Sequence, residues 1–185
     1  MEKKIIPFTP KECKQIKPIP VHDIAEEVFG DFDTPEEGEI SQDEQYRGGF
    51  ELIDYSFFYY KTIAKKPIPE KRGGKFIQIR NEERKTEYLV FSPSELSSFH
   101  ANIVERFCFL KGIEGVYTTK KMDRYEIQDP EWLIIGGGKW SMDDNEKRLV
   151  LFDNSGVYGR FDSNGLRKKI LDTGKLQGYE VKIIG

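Results

Sequence analysis

Apolar residues recur along this chain with two different periods. In KFIQIR, 75–80, Phe76 and Gln78 alternate with Ile77 and Ile79, which is the two-residue period of a strand. NEER follows as a hairpin-turn candidate and TEYLVF, 86–91, as a second strand. Upstream, FELIDYSFFYYKTIA, 50–64, is rich in aromatic and β-forming residues and predicts a strand or one arm of a hairpin, an added edge to the sheet. Between 93 and 111 the period lengthens. Leu96, Phe99, Ile103, Phe107 and Leu110 recur at three- and four-residue spacing, which predicts a helix with one apolar stripe, stopped by Gly112. VYTTKKMDRYEI then reads as strand, and in EWLII and RLVLF the apolar residues run nearly without a break, as in central strands covered on both faces. DSNGLRKKILDTG, 162–174, predicts a second helix capped by Ser163 or Asn164 and ended at Gly174, before the closing strand GYEVKII. The order predicts an α/β (α+β) fold, a mixed central β-sheet with two helices packed on it.

Composition divides the chain. From Asp23 to Glu44 the acidic residues Asp23, Glu26, Glu27, Asp31, Asp33, Glu36, Glu37, Glu39, Asp43 and Glu44 accumulate with no Lys or Arg among them. Like charges at that density repel, and few apolar residues accompany them. Residues 1–49 are therefore read as an acidic, partly disordered N-terminal extension, either a linker or a flap over a basic pocket, and 50–185 as the folded domain. A net charge of -3 gives no overall attraction to nucleic acid or to an anionic membrane, so an anion site must be local. Cys13 and Cys108 match no metal-ligand spacing and read as free thiols of a reducing compartment. No apolar run suits a signal peptide or a membrane span, and the expectation is a cytoplasmic protein with neither nucleic acid nor membrane as partner.

Few schemes of chemistry suit these residues. The two histidines, His22 and His100, are too few and too far apart for a zinc site, and HExxH, DxDxG and GxSxG are absent. GGGKW, 136–140, lacks the spacing of a Walker loop. What remains is a scatter of devices for holding an anion. If Ser97 or Ser98 caps a helix starting at Phe99, the amides of Phe99, His100 and Ala101 point outward and attract phosphate. If Ser92-Pro93-Ser94-Glu95 forms a capping box, His100 lies mid-helix and is structural. Gly136, Gly137 and Gly138 either let the backbone approach a ligand, with Lys139 in reach of an anion, or make a bulge or tight turn. DNSGVYGR, 153–160, by itself is a turn, and Lys75 by itself a solvated lysine.

Taken together, KFIQIR, FHANI (99–103), GGGKW and NSGVYG (154–159) resemble, in order and spacing, the phosphohistidine phosphatase (Janus/Ocnus) family, most strongly over 73–185. LRKKILDTGKLQGYEV, 166–181, resembles that family's closing helix and strand. The resemblance implies a helix starting beside the histidine. It implies a metal-independent, cofactor-free hydrolase that removes phosphate from phosphohistidine in a phosphorylated protein or peptide. His100 would be catalytic. Lys75 and Lys139, the backbone N–H groups of Phe99, His100 and Ala101, Ser155 and the amide of Val157 would hold the phosphoryl group. The chain departs from the family pattern in three places. Ser92 stands where the family has an arginine, Lys139 replaces an arginine after the glycines, and the link from His100 to Gly136 is longer. The alternative reading is a non-catalytic phosphate-recognising module for a phosphorylated or acidic partner.

Overall fold

A computed structural model describes residues 48–184. The acidic stretch 23–44, His22 and Cys13 lie outside the described residues. One six-stranded mixed sheet dominates, in the order β1-β3-β2-β6-β7-β8. Its strands are β1 (Phe50–Asp54), β2 (Lys71–Asn81), β3 (Thr86–Pro93), β6 (Trp132–Asp143), β7 (Arg148–Phe152) and β8 (Glu180–Ile184). A hairpin of β4 (Gly115–Tyr117) and β5 (Tyr125–Ile127) stands apart from it. The two edge pairs, β1 with β3 and β7 with β8, are parallel, and the inner pairs are antiparallel.

Helix α1 (His100–Lys111) and helix α2 (Leu166–Asp172) cover opposite faces. Alternation along β3 shows this. The Tyr88 ring lies 5.2 Å from that of Phe107 on α1, while its neighbour Leu89 joins the core that Leu166 and Ile170 of α2 share with Phe76, Phe91, Trp140, Leu149 and Leu151. The mixed α/β class predicted from the sequence is therefore present.

Several local expectations are corrected. Residues 50–64 are not one strand. The Asp54 carboxylate accepts the Ser56 amide at 2.8 Å and ends β1, after which Phe58–Ile63 winds as a short π-helical segment that buries Tyr60. The segment 116–127 is a hairpin of two short strands instead of one strand. β6 is not covered on both faces, since Leu133 is 50% exposed. The apolar stripe of α1 is rotated from the predicted one: Phe99 and Leu110 are exposed, and the buried positions are Ala101, Ile103, Val104, Arg106, Phe107 and Cys108. Phe99 precedes the helix, so it cannot share the helical period. α2 is capped by Gly165 at φ 65, a conformation that costs glycine little, and Ser163 and Asn164 fall in the turn before it. Gly112 does end α1, at φ 68.

Candidate functional site

The start of α1 decides the first open question. Pro93 closes β3, and the amides of Leu96 and Ser97 both fold back on its carbonyl, so 93–97 is a turn and not a first helical turn. The helix begins at His100, with Phe99 extended as its N-cap at φ -122 and ψ 153. Neither Ser97 nor Ser98 caps it. The Ser97 hydroxyl is buried at 2.7 Å from that of Ser92 and accepts from the Arg106 guanidinium at 3.1 Å. Asn102 takes the capping role: its side-chain oxygen accepts the Phe99 amide at 2.9 Å, while its own amide donates to the Phe99 carbonyl. The Phe99 amide is thus engaged. Among the described residues no acceptor faces the amides of His100 and Ala101, which remain open at the positive end of the helix dipole.

Under this helix start lies the glycine run. It is neither a loop nor a turn but part of the continuous strand β6. The register against β2 shifts between Gln78 and Ile79, which leaves Ile135 as a bulged residue immediately before Gly136. Gly137 matters most. A side chain there would meet the Phe76 carbonyl at 2.6 Å and Cδ2 of His100 at 3.0 Å, so only glycine lets the imidazole lie on the strand. The ring is then fixed by Nε2, which lies 2.9 Å from the Gly138 carbonyl. A carbonyl only accepts, so Nε2 carries the proton in neutral His100 and Nδ1 presents its lone pair. Burial is the chief reason that the His100 pKa is lowered below 6.5, with Lys75 and Lys139 acting in the same direction and the hydrogen bond to the Gly138 carbonyl and the charge of Asp153 opposing them. His100 is therefore predominantly neutral at pH 7.

Cross-strand pairing builds the rest. Ser92 on β3 faces Lys75 on β2, Lys75 faces Lys139 on β6, and Lys139 faces Phe152 on β7, so the four side chains form one row on the α1 side of the sheet. Burial, with the charge of Lys139 beside it, lowers the Lys75 pKa. Lys139 holds the Asp153 carboxylate at 2.7 Å. No short motif marks Asp153 as a site residue, although its place directly before Asn154-Ser155 in the turn that ends β7 puts it within reach of the row. From beneath, the Trp140 indole donates to the carbonyls of Lys75 and Ser92 at 3.1 and 3.2 Å, which pins two members of the row together.

Ser155 arrives through the backbone: its amide donates to the Gly137 carbonyl at 2.8 Å, which brings the turn against the strand on which His100 rests. The Ser155 hydroxyl oxygen accepts from the Tyr158 amide at 3.1 Å and from the Val157 amide at 3.4 Å, so it shapes the turn and keeps its own hydrogen free to donate. The Val157 amide is only weakly engaged at that distance. The structure thus brings His100, Lys75, Lys139, Ala101 and Ser155 into one neighbourhood and directs the Phe99 amide elsewhere. Lys139 also borders a cavity of about 1180 Å³ that runs along the uncovered part of the same face, between Tyr59, Tyr60 and Glu95 on one side and Val150 and Phe152 on the other. Among the described residues no cluster of three His, Cys, Asp or Glu side chains is placed to hold a metal ion.

Cys108 is buried and free, its pKa pushed up to about 12 by burial, which leaves it a core thiol. No described helix is long and apolar enough to cross a membrane. No protein-family model matches the sequence, and no curated protein matches it either.

Proposed function

We propose that this domain has a phosphohistidine phosphatase-like fold and hydrolyses the P–N bond of phosphohistidine in proteins or peptides. The observation that carries the reading is the juxtaposition of His100 with two lysines: an imidazole held by Nε2 on the Gly138 carbonyl, with its Nδ1 lone pair free, beside the Lys75 and Lys139 pair. In the reaction a water oxygen bonds to phosphorus as the P–N bond breaks. The departing imidazole nitrogen keeps the bonding pair and takes a proton. Lys75, Lys139 and the open amides of His100 and Ala101 offset charge on the phosphoryl oxygens, while Ser155 donates from its hydroxyl. Nδ1 of His100 can take the proton of the attacking water, or bond the phosphorus itself and pass it to water in a second step. A neutral ring with lowered pKa suits either route at pH 7. The test is phosphate release from a phosphohistidine peptide, followed by 31P NMR. His100→Ala is expected to lose about 10²-fold or more of kcat, and equal, measurable rates would remove His100 from the chemistry.

Two observations favour a second reading, a phosphate-recognising module without turnover. Ser92, where the resemblance would have an arginine, is buried and bonded to Ser97, and Lys139 is already held by Asp153. Phosphate binding by wild type with no turnover of any phosphoamidate would decide for the module.

A further inference from the structure

The β4–β5 hairpin belongs to the long link between His100 and Gly136, and its two arms are tied to opposite sides of the candidate site. On the β4 arm, Tyr117 bonds through its hydroxyl to Asn102, the residue that caps α1, at 3.3 Å and to Glu105 at 2.7 Å. On the β5 arm, Tyr125 is gripped by the serine turn: the Tyr158 hydroxyl accepts the Tyr125 amide and donates to the Tyr125 carbonyl, both at 2.8 Å. The rings of Tyr117 and Tyr125 meet edge to face at 4.9 Å across the last rung of the hairpin. β4 follows α1 after the turn at Gly112 and runs back along it to the level of Asn102. The tip, residues 118–124, therefore lies beside the N-terminus of α1 and next to the turn that carries Ser155.

The tip, 118–124, is basic: Lys120, Lys121 and Arg124 outnumber its one acid, Asp123. Asp123 accepts from the Thr119 hydroxyl at 2.6 Å, and Arg124 pairs with Glu126 at 3.0 Å. Lys120 and Lys121 are exposed, and neither has an anionic partner among the described residues. Two unpaired ammonium groups, anchored at the edge of a phosphate-directed cluster, complement negative charge next to the phosphorylated residue. We propose that Lys120 and Lys121 recognise Asp or Glu side chains flanking the phosphohistidine, so that the preferred substrate is an acidic peptide segment. This assignment rests on the phosphate-site reading above and adds the class of sequence around it.

The test compares two fluorescent peptides that carry a non-hydrolysable phosphonotriazole analogue of phosphohistidine, one with acidic and one with neutral flanks, by anisotropy on the full chain. Wild type is expected to bind the acidic peptide about five- to tenfold more tightly at low salt, as for exposed charge pairs acting together. The ratio should fall toward one at high salt, reach about one in the double variant K120Q/K121Q, and drop below one in K120E/K121E. Equal wild-type affinities, or a preference that survives both double variants, overturn the flank assignment. Failure of the acidic peptide to bind overturns it as well. Turnover of phosphoramidate, which has no flanks, separates the two levels: turnover without a flank preference sinks only the assignment of Lys120 and Lys121.

Discussion

Replacing Gly137 by alanine tests whether the glycine run exists to admit the imidazole. The added Cβ would sit 2.6 Å from the Phe76 carbonyl oxygen and 3.0 Å from both Cδ2 of His100 and Cδ1 of Ile77. Those gaps fall short of ordinary contact by about 0.8 Å and about 0.4 Å respectively. The carbonyl belongs to a strand paired on both sides and cannot retreat freely. The ring is the softer neighbour, so part of the strain is relieved by tilting His100 off the Gly138 carbonyl. Overpacking of this kind costs about 1–3 kcal/mol, which for a chain of this size lowers Tm by about 3–10 °C. Under the proposed hydrolysis, a ring displaced by a fraction of an ångström would lose about 10- to 100-fold in kcat. Two measurements read this out: thermal unfolding, and the imidazole NMR signals, which are easily assigned because the chain has only two histidines. Gly156→Ala is the matched control, because a Cβ at Gly156 meets nothing within 4 Å. If Gly137→Ala leaves Tm and the His100 signals as they are in wild type, the glycine is not there for the ring and the reasoning fails.

Asp153 competes with an incoming anion for Lys139, so Asp153→Asn should tighten inorganic phosphate binding about two- to fivefold in an NMR titration at low salt. Asn tolerates the left-handed backbone at Asp153, φ 64, as well as Asp does, so unchanged or weaker affinity would count against Lys139 as a phosphate ligand. His100 should titrate below 6.5 by NMR. Because its pKa is lowered on folding, the unfolded chain binds the proton first as pH falls, and stability is expected to decline from about pH 6.5 down to the folded value and then level off. In His100→Asn that part of the pH dependence should vanish in urea unfolding series, and a decline of the same size in both proteins would assign it elsewhere.

Period and composition by themselves determined the alternation that makes β2 and β3 strands, the stop of α1 at Gly112 and the two-helix mixed sheet. Each element is a local property, decided by residues a few positions apart, and their order implies the mixed sheet. They also marked out 1–49 as acidic, although all but Gly48 and Gly49 of that stretch lies beyond the described residues. The boundaries that depend on partners distant in the chain were not legible. Nothing in FELIDYSFFYY announces that the Asp54 side chain will capture the next turn and wind the aromatics into a π-helical segment. Nor do Ser97 and Ser98, good caps by residue type, reveal that Ser92 and Arg106 claim the Ser97 hydroxyl, so that Asn102 caps the helix instead. The candidate site divides in the same way. His100, Lys75, Lys139 and Ser155 could be named from short motifs. Only the strand register, which sets Ser92, Lys75 and Lys139 side by side, and the missing side chain at Gly137, which lets a ring from a distant helix lie on β6, could make them neighbours. Proximity of that kind is a property of pairing across the sheet, and a one-residue change of register would turn the lysines to the other face.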